Sequence, residues 1–191
     1  YNMAIEQHQI DLLKSYRDKS YVFAALCNSS YEFFSLLKSI CNIPLILTSS
    51  IMAILNSGSF TADDMKLPNI IINSLTALML GLITNFNISE KTTEFRKVNI
   101  QMTKLCHHIE DDLNNNLRTI SVIDIRRHIN EYDSIIENLD YPFPHFIKEK
   151  IKKTYKNNRT LPSILNCTTT EFVRTESHFE VNNVIQEPVN I

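Results

Sequence analysis

Cys106, His107 and His108 stand side by side, the one local cluster of metal-ligand side chains in the chain. A zinc site needs four ligands converging on one point. Neighbours on a helix point about 100° apart, and no second Cys or His stands at i+4 to share a face. The spacing favours surface histidines over a metal centre. Glu110, Asp111 and Asp112 follow and read as a solvated helix face, while His128 and His145 are isolated in sequence. Nothing has the form of Gly-x-Ser-x-Gly or His-Glu-x-x-His, the patterns that present a nucleophile or a zinc-bound water. With only two glycines, Gly58 and Gly81, the chain has no Gly-rich phosphate loop. Cys27, Cys41, Cys106 and Cys167 form no C-x-x-C pair. They read as buried or membrane-facing thiols in a reducing compartment. The expectation is no catalytic residue, no metal and no cofactor.

Two other groups of residues carry interaction chemistry. Lys148, Lys150, Lys152, Lys153, Lys156 and Arg159 form a basic cluster opposed only by Glu149. Each such charge near an anionic bilayer is worth about 1 kcal/mol, so lipid, an acidic partner or a plain solvated face are the readings. The second group is small residues four apart: Ser49, Ala53 and Ser57, then Ala77 and Gly81, with Asn73 nearby. Such rows let helices approach closely in lipid. They serve either to pack two helices of one chain or to line a polar seam between several chains.

The elements that position these groups are set by charge distribution. Ser39 to Ala62 and Leu67 to Ser89 contain no Asp, Glu, Lys or Arg, and only Asp63-Asp64-Met65-Lys66 parts them. About 20 apolar residues cross a bilayer core of roughly 30 Å, so each run is long enough to span. The first is interrupted by Asn42, Pro44, Thr48, Ser49, Ser50 and Asn56, which makes its insertion marginal, whereas the second is more continuously apolar. Pro68 is expected at the second helix's start, where its missing N–H costs nothing. Basic residues flank the pair at Lys14, Arg17, Lys19 and Lys38, and again at Lys91, Arg96, Lys97 and Lys104, but the connection offers only Lys66. The positive-inside rule then sets both termini on the cytoplasmic side. The competing reading is a soluble helical protein that buries both runs in a large core.

Outside the uncharged runs the pattern is amphipathic. Leu13, Tyr16, Ser20, Phe23, Cys27, Ser30, Phe34 and Leu37 recur three and four apart, as do Phe95, Val98, Met102, Leu105 and Ile109, with Leu113 and Leu117 beyond. Asn114-Asn115-Asn116 should weaken that helix. A third row is Ile125, Ile129, Tyr132, Ile136 and Leu139. The expected organisation is all-α: an amphipathic helix over 1–38, a transmembrane hairpin over 39–89 (39–62 and 67–89), and a helical bundle over 90–160 with a basic helix at 144–156. An extended tail occupies 161–191. Phe172, Val173, Phe179, Val181, Val184 and Ile185 are apolar anchors in that tail, able to order against a partner.

The order of parts carries a family resemblance. A span reading IPLILTSSIMAILNSGSF is followed by PNIIINSLTALMLGLITNFNISEKTTEFRK, and a later segment reads YDSIIENLDYPFPHFIKEKI. Over about residues 10 to 155 this layout resembles the SLATT superfamily of two-transmembrane proteins, in particular divergent copies in large nucleocytoplasmic DNA viruses. For bacterial members the resemblance implies oligomeric, membrane-perturbing effectors. For viral members it implies a small membrane protein held in the virion's inner membrane beneath the capsid, with capsid proteins as partners. The Asn- and Ile-rich composition and the long tail fit the virion component better. A net charge of −2 argues against a nucleic-acid binder. The sequence therefore leads to a non-enzymatic membrane anchor joining a bilayer to a protein layer, with an oligomeric pore-forming effector as the alternative.

Overall fold

The computed structural model describes residues 2–57, 62–115, 121–157 and 159–165. Every regular element among them is helical: α1 (Asn2–Ser57), α2 (Ala62–Asn85), α3 (Ile88–Asn115), α4 (Val122–Glu137) and α5 (His145–Tyr155), then a 3-10 turn at Ser163–Leu165. α1 runs through Lys38 without a break, because no glycine or proline precedes Pro44. Its 56 residues make a rod about 84 Å long. The boundary expected near residue 38 is thus chemical and not structural.

Two boundaries differ from expectation. α2 begins at Ala62, so the polar segment 63–66 is its first turn and not a loop. Pro68 consequently lies inside α2 and not at its first position. α2 ends where Asn87 takes a left-handed backbone (φ 48°), a conformation asparagine tolerates at helix ends. Phe86 and Asn87 are the whole break before α3.

Three contacts set the direction of α3 against α1. Cys106 Sγ lies 3.8 Å from the Arg17 carbonyl, Asn99 donates to Asn28 at 3.5 Å, and Phe95 stacks on Phe34 with centroids 5.7 Å apart. The numbering falls on one helix as it rises on the other, so the two are antiparallel. The predicted rows form the core between them: Leu13, Phe23, Cys27 and Phe34 from α1, and Phe95, Val98, Met102, Leu105, Ile109 and Leu113 from α3. Leu117 lies outside the described residues.

α4 starts with a capping box: the Ser121 hydroxyl accepts from Ile123 N–H, and the Asp124 carboxylate accepts from Ser121 N–H. Its buried face is Ile125, His128, Tyr132 and Ile135. This is rotated from the expected row, whose Ile129, Ile136 and Leu139 are only half-buried. The aromatic rings decide the rotation. Tyr132 meets Tyr16 edge-on at 5.4 Å and Phe23 at 6.4 Å, which turns the preceding helical turn inward at His128. Phe143, in the connection to α5, fills the space between Phe23 and Phe95.

The tail was expected to begin at Leu161, but Leu161, Pro162, Ile164 and Leu165 belong to the folded unit. Pro162 and Leu165 are buried, and Leu161 and Ile164 pack against the core. The tail residues Phe172, Val173, Phe179, Val181, Val184 and Ile185, like Cys167, lie outside the described residues.

Candidate functional site

α1 and α2 carry the first candidate surface. On α1 beyond Lys38 the less exposed residues include Cys41, Leu45, Thr48 and Met52; on α2 they include Ile72, Thr76, Met79 and Ile83. Both sets recur three or four apart, so each is one stripe, the less exposed side of helices that are in contact with each other. The large side chains on the rest of both surfaces face outward and are apolar: Ile40, Ile43, Ile46, Leu47, Ile51 and Ile54 on α1, and Leu67, Ile70, Ile71, Leu75, Leu78, Leu80 and Leu82 on α2. Only 6% of the apolar window on α1 and 0% of that on α2 is buried within the chain. A half-exposed Leu or Ile in water forgoes about 1 kcal/mol, and the whole belt on the order of 10 kcal/mol. That is as large as the net stability of an ordinary domain, roughly 5–15 kcal/mol.

The hydroxyls in this stretch of α1 are satisfied within the helix. Ser49 donates to the Leu45 carbonyl at 2.8 Å, Thr48 to the same oxygen at 3.0 Å, Ser50 to Ile46 at 2.9 Å and Ser57 to Ile54 at 2.8 Å. Such bonds reduce the cost of placing a hydroxyl among hydrocarbon. The polar composition therefore weakens the first apolar run less than its residue types suggest.

The small-residue row is not the α1–α2 contact. Ser49, Ala53, Ser57, Asn73 and Ala77 are exposed, and a Cβ added at the half-buried Gly81 would meet nothing within 4 Å. The less exposed positions on these two helices are Leu45, Thr48 and Met52, and Ile72, Thr76 and Met79, with the small residues largely outside them. Asn73 has no hydrogen-bond partner among the described residues.

α5 carries the second candidate surface. Pro144 precedes its first turn, and Ile147 and Ile151 bury one side of it. Phe146 packs edge-on to Phe33 at 5.0 Å, and Tyr155 meets Tyr21 at 6.0 Å. α5 therefore runs alongside α1 in the opposite sense, its first turn toward Lys38 and its last turn away from it. Lys150, Lys153 and Lys156 are exposed, and Lys148 and Lys152 flank them half-buried. None of the five is ion-paired among the described residues.

Arg159 separates from this group. Its guanidinium lies 3.9 Å from the centre of the Tyr21 ring and donates to Asp18 Oδ1 at 3.3 Å, an oxygen that also accepts from Arg17 at 2.9 Å. It clasps the segment after α5 to α1.

The metal-ligand cluster resolves into unrelated side chains. Cys106 points inward, where burial chiefly, with the nearby Glu110 carboxylate, pushes its thiol pKa up to about 11. His107 and His108 are exposed, and His107 faces Glu110 at 3.6 Å. Burial also raises the Cys27 thiol and the Tyr132 hydroxyl. Among the described residues no three His, Cys, Asp or Glu side chains gather as a metal site would require.

Sequence reasoning missed one polar pair. His128, 2% exposed, has Nε2 at 2.8 Å from Asp112 Oδ2, while its Nδ1 is buried without a partner. The Asp112 face was expected to be solvated, but this carboxylate joins the end of α3 to α4. The signal was present: Ile125, His128, Tyr132 and Ile135 are spaced three, four and three apart, a core row once histidine is admitted to it.

Compared with protein-family models, curated proteins and solved structures, the chain matches none. Fold and surface define a class: among the described residues the chain is all-helical, with two helices long and apolar enough to cross a membrane.

Proposed function

We propose that the chain is an integral membrane anchor without catalytic activity, which ties a lipid bilayer to a protein layer. The observation that carries this reading is the uncovered apolar belt of α1 and α2, beside a bundle whose own apolar rows are buried. α1 beyond Lys38 and α2 form the transmembrane hairpin, with both termini on the cytoplasmic side. The remaining helices form a bundle on that side, and basic helix and tail engage the layer. The SLATT-like layout and the Asn- and Ile-rich composition favour the inner membrane of a large DNA virus and a capsid-associated partner. Carbonate extraction of the full chain from the membranes in which it is made tests the anchor. Retention in the pellet is expected, and release into the supernatant would overturn it. Removing residues 166–191 should then abolish incorporation into the assembly while leaving retention intact.

A second reading, an oligomeric pore, is favoured by the outward position of Ser49, Ala53, Ser57, Asn73 and Ala77, which leaves a small and polar stripe free for other copies. It predicts an ion leak from liposomes that bulky substitution at Ala53 or Ala77 removes. Liposomes that stay tight at high protein loading would rule it out.

A further inference from the structure

We infer that the exposed lysine row of α5, Lys150, Lys153 and Lys156, docks an acidic polypeptide other than this chain, in the aqueous layer beside the membrane and beyond reach of its lipid. The inference rests on the membrane reading and deepens it by naming the partner's chemistry.

Distance separates lipid from protein as the occupant. Lys38 is the last charge before the uncharged stretch of α1 and marks the bilayer boundary on that helix. Phe146 packs on Phe33, five residues from Lys38, so the first turn of α5 stands about 7.5 Å from that level along α1. Tyr155 packs on Tyr21, seventeen residues from Lys38, so the last turn stands about 25 Å away. Lys150, Lys153 and Lys156 fall between roughly 15 and 27 Å from the boundary on the same rise per residue. The headgroup region extends about 5–8 Å beyond the hydrocarbon, and charge is screened over about 8 Å at physiological salt.

The near end of α5, with exposed Phe146 and with Lys148, is within range of headgroups. The row beyond it is separated from them by about one to two screening lengths. A helix lying flat on the surface would present all its lysines to lipid, but α5 stands along α1.

The row itself is built to receive carboxylates. Lys153 and Lys156 lie on the side opposite buried Ile147 and Ile151, and Lys150 lies on the flank beside them. Glu149, the one carboxylate on α5, stands one turn before Lys153 and is half-buried where the lysines are exposed. The adjoining Arg159 is already held by Asp18 and Tyr21. Three lysines unpaired among the described residues thus lie along an exposed stretch about 9 Å long, the length of just under two turns of an acidic helix or about three residues of a strand edge.

The test is carbodiimide coupling on the full chain in its native membranes, which joins a lysine amine to a carboxylate only where the two touch. Peptide mass spectrometry then reads the partner of each lysine. Coupling of Lys150, Lys153 and Lys156 to carboxylates of a second polypeptide is expected. The triple variant K150Q/K153Q/K156Q should weaken retention of that polypeptide about tenfold at physiological salt, as three solvent-exposed ion pairs would. Lys148→Gln should leave retention unchanged.

Coupling to Glu171, Glu176, Glu180 or Glu187, in the same or another copy of the chain, would overturn the inference. So would an absence of coupling, or lysines shielded from acylation only while lipid is present. Carbonate extraction of the same membranes keeps the two failures apart. A released chain refutes the bilayer anchor, whereas a retained chain with no coupled lysine refutes the docking row alone.

Discussion

Ile46 and Ile123 are two large apolar side chains left uncovered, 66% and 78% exposed. The first lies on α1 beyond Lys38 and the second near the start of α4. Replacing either with Asp in water should change stability by no more than about 0.5 kcal/mol. In a bilayer the two sites part. At the centre of a spanning helix an Asp costs about 2.5–3.5 kcal/mol and the lost Ile forgoes about another 0.5 kcal/mol. Ile46→Asp should therefore shift insertion of α1 by about 3–4 kcal/mol, a factor of some hundreds.

The first apolar run has little reserve against such a shift, since Asn42, Pro44 and Asn56 already interrupt it. The assay is labelling of a cysteine placed at Ser59 by a membrane-impermeant maleimide in sealed vesicles. In the parent chain this cysteine should label from the side opposite the bundle. Ile46→Asp should abolish that labelling and Ile123→Asp should preserve it. Equal behaviour of the two variants would mean that α1 faces water along its length, and the membrane reading would fall with it.

Three further outcomes follow from the interior. His128→Ala removes the bond to Asp112 together with the packing of a buried imidazole; it should cost about 1–3 kcal/mol, seen as a lower thermal midpoint by circular dichroism, with Asp112→Asn costing less. Arg159→Lys keeps the charge but loses the planar stack on Tyr21, worth about 0.5–1 kcal/mol at a partly exposed site. Hydrogen exchange at residues 159–165 should quicken while the α1–α3 core is unchanged. Cys106, protonated to about pH 11 when folded against about 9 when unfolded, contributes stability that is complete below pH 9 and is lost as pH rises toward 11, because the unfolded thiol ionises first. N-ethylmaleimide at pH 8 should consequently spare Cys106 until the fold is denatured.

Periodicity made most of the fold legible. The rows beginning at Leu13 and Phe95 predict the α1–α3 core because both helices bury one continuous stripe, and spacing of three and four encodes that directly. Local composition also placed the end of α3 at the asparagine run and the start of α5 after Pro144. Spacing could not reveal contacts between residues far apart in sequence. Arg159 reaches Asp18 across 141 positions, so it counted with its lysine neighbours when its partner lies on another helix. The small-residue row was undetermined for a related reason. A four-residue repeat shows that Ser49, Ala53 and Ser57 share a face but not which face, and it is Leu45 and Met52 that are the less exposed on α1.

The same geometry bears on anchor against pore. α1 crosses the level of Lys38 as one helix, and only Phe86 and Asn87 interrupt the path from α2 into α3. At the junction Lys91 lies 5.5 Å from the Phe34 ring centre and 5.7 Å from that of Tyr141, whose hydroxyl donates to Glu90 at 2.7 Å. A rod about 84 Å long, braced there by α3 and the connection to α5, transmits position: a load on the bundle is carried directly into the apolar segment. The proposed anchor needs that stiffness, because the proposed docking row, about 15–27 Å from the level of Lys38, holds a fixed spacing to a bilayer only if no joint intervenes. A pore needs the outward stripe of one copy to meet that of the next, and braced rods can do this only if their bundles also fit side by side. Charge at Lys150, Lys153 and Lys156 works against such crowding through like-charge repulsion. Neutralising those three lysines should therefore increase self-association if a pore forms, and should weaken partner retention without changing oligomeric state if the chain is an anchor; sedimentation in mild detergent distinguishes the two.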